Sequence, residues 1–126
     1  MAARRVVYIG DAQTDDPGQI CPLLVALSEA GALTELFTDG WAGLRSVAGG
    51  SADLVVVDMD APSLGGLEAQ IRIGQIASRM PVLLLSAEDS KARRMWAVEV
   101  GVVCYVTKPV DRRALARFIA KVLNAI

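Results

Sequence analysis

The chain has 126 residues, a hydrophobic fraction of 53%, a charged fraction of 21% and a net charge of −1. This is enough for one domain around one core and too few for two, and it excludes a disordered chain. The near-neutral balance provides no overall field for nucleic acid or an anionic membrane. With no histidine, the chain has no Ser-His-Asp or Cys-His catalytic set and no phosphohistidine of its own.

Arg4 and Arg5 precede a short apolar run at 6–10, which reads as a first strand and is too short for a signal-peptide core. Ile20, Leu23, Leu24 and Leu27 follow at helical spacing, with Pro22 acceptable only in the first turn and Gly31 as the stop. A second strand is expected at 33–37. Leu44 and Val47 suggest a short helix ended by Gly49 and Gly50. A third strand is expected at 54–57, a helix at 67–76, a fourth strand at 82–85 and a helix at 92–100 stopped by Gly101. A fifth strand is expected at 102–106. The last helix carries Leu115, Phe118, Ile119, Val122 and Ile126 on one stripe, with Asp111 as N-cap and Val110 placed to staple onto Leu115.

Five strands alternate with five helices, and the strands are mostly continuous apolar runs, as in sheets covered on both faces. Right-handed crossovers then give an α/β fold, a doubly wound, flavodoxin-like (βα)5 sheet of parallel strands in the order 2-1-3-4-5, as one domain over 1–126. No apolar run approaches the ~20 residues of a membrane span, so the cytoplasm is the expected compartment. Cys21 and Cys104 lack metal-site spacing and read as ordinary buried thiols.

In such sheets the functional crevice lies at the carboxyl ends of the strands. Asp11, Asp58, Ser86 and Lys108 each directly follow an apolar run, so topology gathers them at one rim. Two carboxylates, a hydroxyl and an ammonium suit a divalent cation, Mg²⁺, and a phosphoryl group whose oxygens the metal, ammonium and hydroxyl neutralise.

The stretch DLVVVDMDAPSLGG at 53–66 resembles the phosphoacceptor segment of response-regulator receiver domains, with Pro62 four residues after Asp58. PVLLLSA at 81–87 resembles the family's strand ending in Thr/Ser-Ala, and the segment from Gly101 through Tyr105 to Lys108 and Pro109 resembles its last strand and Lys-Pro turn. The resemblance spans essentially the whole chain, and the order and spacing of the motifs make it specific. It implies that Asp58 takes phosphate from a partner's phosphohistidine, with Ser86 and Lys108 on phosphoryl oxygens. Asp11, Asp58 and the main-chain carbonyl of Asp60 would hold Mg²⁺. Tyr105 would be the switch aromatic, and the Lys108–Pro109 bond is often cis in the family. The implied partners are a histidine kinase or phosphotransfer protein and a downstream protein or fused output domain. At most the chain would catalyse its own phosphorylation and dephosphorylation.

Three departures stand out. Receivers usually end the first strand with two acids, whereas Gly10 and Asp11 stand here, and Asp15 or Asp16 in a longer loop either restores the site or caps a solvated turn. Asp60 adds a carboxylate that either assists the metal or repels phosphate, and Glu88 is another acid near the rim. The third departure is Trp96, which falls where the family's helix is polar and exposed and reads as a contact anchor or, alternatively, as a buried ring. Residues 1–87 carry five basic and ten acidic residues, and residues 88–126 eight and four. The basic part, with Arg93 and Arg94, suggests a surface for an acidic protein partner; the alternative is a solvated face. The competing functions are a pseudo-receiver that binds partners without phosphate and, more remotely, a haloacid dehalogenase-type phosphatase, because Asp58-Met59-Asp60 mimics its Asp-x-Asp start.

Overall fold

The computed structural model describes residues 4–10, 31–50, 52–108 and 111–124. Strands β1 (Arg4–Ile9), β2 (Ala32–Phe37), β3 (Leu54–Asp58), β4 (Val82–Ser86) and β5 (Cys104–Thr107) form one parallel sheet in the order β2-β1-β3-β4-β5. Helices α1 (Gly40–Ala48), α2 (Leu67–Ala77), α3 (Lys91–Val100) and α4 (Arg112–Asn124) cover it, with a 3₁₀ turn at Pro62–Leu64. The expected helix over 20–27, Cys21, the acids Asp11, Asp15 and Asp16, and Pro109 with Val110 lie outside the described residues. Among the described residues, no helix is long and apolar enough to cross a membrane.

The uninterrupted apolar strands are explained by two cores, one on each face. Val7, Ile9, Val55, Val57, Val82 and Leu84 point to the side covered by α1, α2 and α3, where Leu44, Val47, Ile73, Ile76 and Ala97 meet them. The alternate residues Val6, Tyr8, Leu54, Val56, Leu83 and Leu85 point to the other side and meet Leu115, Ile119 and Leu123 of α4. Each fully buried Val, Leu or Ile contributes about 1.5–3 kcal/mol. With both faces filled, the strand ends are where polar side chains can gather without interrupting a core.

The helix ends follow local chemistry. The Asp39 carboxylate accepts from the Trp41 and Ala42 amides at 3.1 and 3.4 Å and starts α1. The Ser90 hydroxyl accepts from the Arg93 amide at 3.1 Å and starts α3. The Asp111 carboxylate accepts from the Arg113 and Ala114 amides at 3.1 and 3.2 Å, the expected N-cap of α4. Gly101 ends α3 at φ 87°, and the Val102 amide turns back to the Ala97 carbonyl at 3.2 Å. That cap consumes the backbone at 102, so β5 begins at Cys104 rather than at 102. β1 instead begins two residues earlier than its apolar run. Arg4 and Arg5 pair with Ala32 and Leu33, and the Arg5 guanidinium meets Glu35 at 2.7 Å, which suits charged residues to the first positions of the strand.

Helix α1 packs on the sheet more closely than a side chain permits. A Cβ on Gly43 would lie 2.8 Å from Ile9 Cγ1 and 3.0 Å from Phe37 Cβ, and Ile9 is fully buried. Gly43→Ala should therefore lose about 1–2 kcal/mol in urea unfolding, the overpacking cost exceeding alanine's helix preference. Gly49→Ala, whose nearest neighbour would be a carbonyl oxygen at 3.8 Å, should be within about 0.5 kcal/mol of the parent.

Candidate functional site

Asp58 is the last residue of β3 and Ser86 the last of β4, so both end their strands one residue further along than the apolar runs alone indicate. Lys108 follows β5 directly, and its amide donates to the Ser86 carbonyl at 2.8 Å, which ties the two strand ends together. Asp58 is fully buried. Its Oδ1 accepts from the Asp60 amide at 2.9 Å and its Oδ2 from Lys108 Nζ at 2.8 Å. A buried carboxylate is tolerated only with such partners.

Ser86 is 1% exposed. Its hydroxyl donates to Asp60 Oδ1 at 3.2 Å and accepts from the Glu88 amide at 3.0 Å. The other oxygen of Asp60 accepts from the Ala87 amide at 2.8 Å and lies 3.2 Å from Lys108 Nζ. Three of the four rim residues expected from topology, Asp58, Ser86 and Lys108, thus come together, and Asp60 joins them through its side chain. Burial alone would lower the Lys108 pKa, but the hydrogen bonds and charges of Asp58 and Asp60 outweigh it and hold the ammonium above its ordinary value near 10.5.

Gly10 directly follows β1, buried, with its amide donating to the Phe37 carbonyl at 2.9 Å. Asp11, the expected metal ligand beside it, lies outside the described residues. The donors present, the Asp58 carboxylate and the neighbouring Asp60 carbonyl, are oxygens and fit a hard cation such as Mg²⁺ in part. Among the described residues, no group of three or more His, Cys, Asp or Glu side chains is disposed to hold a metal ion.

Tyr105 is half-buried. Its hydroxyl donates to the Glu88 carbonyl, and the Arg94 guanidinium sits 5.2 Å from its ring centroid. Arg94 also bonds Asp89 at 2.6 Å and Thr107 at 2.8 Å, and Arg93 lies 3.4 Å from Glu88. The two arginines therefore face local acids instead of standing as unmatched positive charge. Of the two readings open for Trp96, a contact anchor or a buried ring, its packing favours the second. Arg93, Trp96, Ala97 and Val100 form the inward stripe of α3, and Trp96 packs half-buried against the core. The exposed large apolar residues of that helix are Met95 at 54% and Val98 at 78%. Sequence reasoning missed them because Trp96 was the apolar residue weighed as a contact anchor on that helix. The Ala87 amide was also missed as a donor, although its place beside Ser86 in the PVLLLSA motif marks it.

A family model described as the response regulator receiver domain matches residues 14–120. The chain belongs to this family and is a receiver domain of the two-component response regulators. It is 32% identical over 110 residues to the transcriptional regulatory protein GlrR of Escherichia coli K12, a match that covers 87% of this chain and 25% of GlrR. It is similar in structure to a CheY-like receiver domain protein of Methanospirillum hungatei, with a TM-score of 0.80 at 18% identity over 98% of this chain and 96% of that one. The receiver domain of the sensor histidine kinase PA1611 of Pseudomonas aeruginosa superposes with a TM-score of 0.75 at 23% identity, over 98% and 99% of the two chains. That structure is described with a magnesium ion in its active-site cleft. The chain spans 25% to 48% of the length of curated relatives such as GlrR and the sensory transduction protein RegX3 of Mycobacterium tuberculosis. Receiver domains of this class interact with histidine kinases and with output domains. The family match displaces the phosphatase alternative suggested by the two aspartates at 58 and 60.

Lys108→Ala should lower stability at neutral pH by about 2 kcal/mol, less than for a fully enclosed pair, because two carboxylates lose their shared cation. The loss should shrink in an Asp58→Asn, Asp60→Asn background. A lysine whose pKa is raised by folding holds its proton more tightly in the native state. The difference between parent and variant should therefore persist up to about pH 10 and disappear as pH rises through the folded value. Urea unfolding of the four proteins across pH measures both.

Proposed function

We propose that this domain accepts a phosphoryl group on Asp58 from a histidine kinase or phosphotransfer protein in the cytoplasm, and that phosphorylation switches a partner-binding face. The observation that carries the reading is the buried Asp58 carboxylate with Lys108 Nζ at 2.8 Å and the Ser86 hydroxyl at the same strand ends. An Asp58 oxygen attacks phosphorus, the bond from phosphorus to the donor's imidazole nitrogen breaks, and the imidazole leaves with the electron pair and takes up a proton. Water later attacks phosphorus, returning the carboxylate and inorganic phosphate. Lys108 and Ser86 stabilise the charge on the phosphoryl oxygens as it develops. Mg²⁺, held by Asp58, the Asp60 carbonyl and Asp11, would supply further neutralisation of those oxygens when bound.

Tyr105 is the proposed relay from this site to α3, since its hydroxyl and Ser86 both engage Glu88. The partner face consists of Arg94, Met95 and Val98, with the inward-facing Arg93 and Trp96 supporting the helix from beneath. A second reading, a module that binds partners without phosphate, is favoured by Gly10 in place of the first acid and by the donors that Asp60 already satisfies.

Acetyl phosphate with Mg²⁺ should label the wild type with an acid-labile phosphate, and Asp58→Asn, nearly isosteric, should remain folded and unlabelled. Labelling of the Asn variant at the wild-type rate would overturn the assignment. At the partner face, joint Met95→Ser and Val98→Ser replacement should leave labelling intact and weaken capture of binding proteins from the native cell by about tenfold or more. Unchanged capture would place the interface elsewhere.

A further inference from the structure

We infer that the Asp60 carboxylate is a built-in occupant of the phosphoryl-oxygen subsite, and that a phosphoryl group arriving on Asp58 must displace it. This rests on the reading of Asp58 as the phosphoryl acceptor. The Ser86 hydroxyl, the Ala87 amide and the Lys108 ammonium converge beside Asp58, and all three engage Asp60, at 3.2, 2.8 and 3.2 Å. A carboxylate matches a phosphoryl group in the respects these donors sense. It is anionic, it presents two acceptor oxygens to separate donors, and it gains most where amide, hydroxyl and ammonium are already in place.

The anchoring of Asp60 suits displacement. Its amide is held by Asp58 Oδ1 at 2.9 Å, so its backbone is fixed independently of its side chain. The side chain is 30% exposed, against 0% for Asp58, and rotation about its own bonds can carry it into water. Two costs then fall on phosphorylation. The incoming group must replace three satisfied contacts, and a displaced carboxylate stays close to a new dianion. While seated, Asp60 also holds the Ser86 hydroxyl, which in turn holds the Glu88 amide, while the Glu88 carbonyl holds Tyr105. The loop between β4 and α3 is thereby drawn toward the site in the absence of phosphate.

The test uses the whole chain, beryllofluoride as phosphoryl mimic at saturating Mg²⁺, and the Ala87 amide resonance in a nitrogen–proton correlation spectrum. In the ligand-free protein, Asp60→Ala should move that resonance upfield, because its charged acceptor is gone. Beryllofluoride should restore it, and should bind Asp60→Ala about tenfold more tightly than wild type, roughly the worth of one charge-assisted hydrogen bond. Asp60→Asn, which keeps the shape and one acceptor oxygen, should change both readouts in the same direction and by less, and it stands in if the alanine variant fails to fold. An Ala87 resonance that ignores Asp60, or equal beryllofluoride affinity in variant and wild type, overturns the inference. If Ala87 responds to Asp60 but neither protein binds beryllofluoride or takes label from acetyl phosphate, the seat of Asp60 stands and the phosphoacceptor reading of Asp58 fails.

Discussion

The site depends on one ammonium between two carboxylates. Lys108 Nζ lies 2.8 Å from Asp58 and 3.2 Å from Asp60, and Asp58 has no access to water. Without the lysine, two like charges would face each other at the carboxyl edge of the sheet, one of them with no solvent to screen it. With it, the three groups carry a net charge of −1, which leaves a reason for a cation to enter and makes an anion's entry costly. The lysine is positioned by backbone geometry, since its amide is bonded to the Ser86 carbonyl where β4 and β5 end.

The sheet makes that arrangement possible. Its middle strands are filled on both faces by aliphatic side chains that alternate between two cores. A polar residue inside β3 or β4 would be buried without water, whereas at the final position of a strand it meets the polar ends of the neighbouring strands. Asp58 and Ser86 occupy those final positions, and their burial at 0% and 1% shows how little of the site is surface. They are deeply held groups opening to solvent through Lys108 and Asp60.

This explains what was legible in the sequence. Strand order follows from the alternation of aliphatic runs with helical stripes, and the strand-end residues follow from where each run stops, so Asp58, Ser86 and Lys108 could be placed together. Side-chain direction could not be read in the same way. Asp60 lies two residues beyond β3, where the chain has left the sheet and no periodicity sets its orientation; the Ala87 amide and Lys108 determine it. Trp96 differs for a similar reason. In a ten-residue helix whose outward side mixes charged residues with Met95 and Val98, the inward stripe is marked by Ala97, which is too small to announce a buried face, and the neighbouring Trp is then open to both readings, anchor or buried ring. Arg93 and Arg94 count as positive charge in sequence, yet Glu88 and Asp89 lie before the same helix and meet them once Ser90 caps it.

The contacts around Glu88 determine what a change at the site can do. Its amide is bonded to the Ser86 hydroxyl and its carbonyl to the Tyr105 hydroxyl, so one peptide segment feels both the rim and the face of α3. Coupling of this kind needs an element with two arrangements whose balance the site can shift. Ser86 is a poor candidate, since a buried hydroxyl that leaves its partners loses them to nothing. Tyr105 is a better one. Its ring is only half-buried, its hydroxyl can exchange the Glu88 carbonyl for water, and Arg94, the cation over its ring, already has Asp89 and Thr107 as alternative partners.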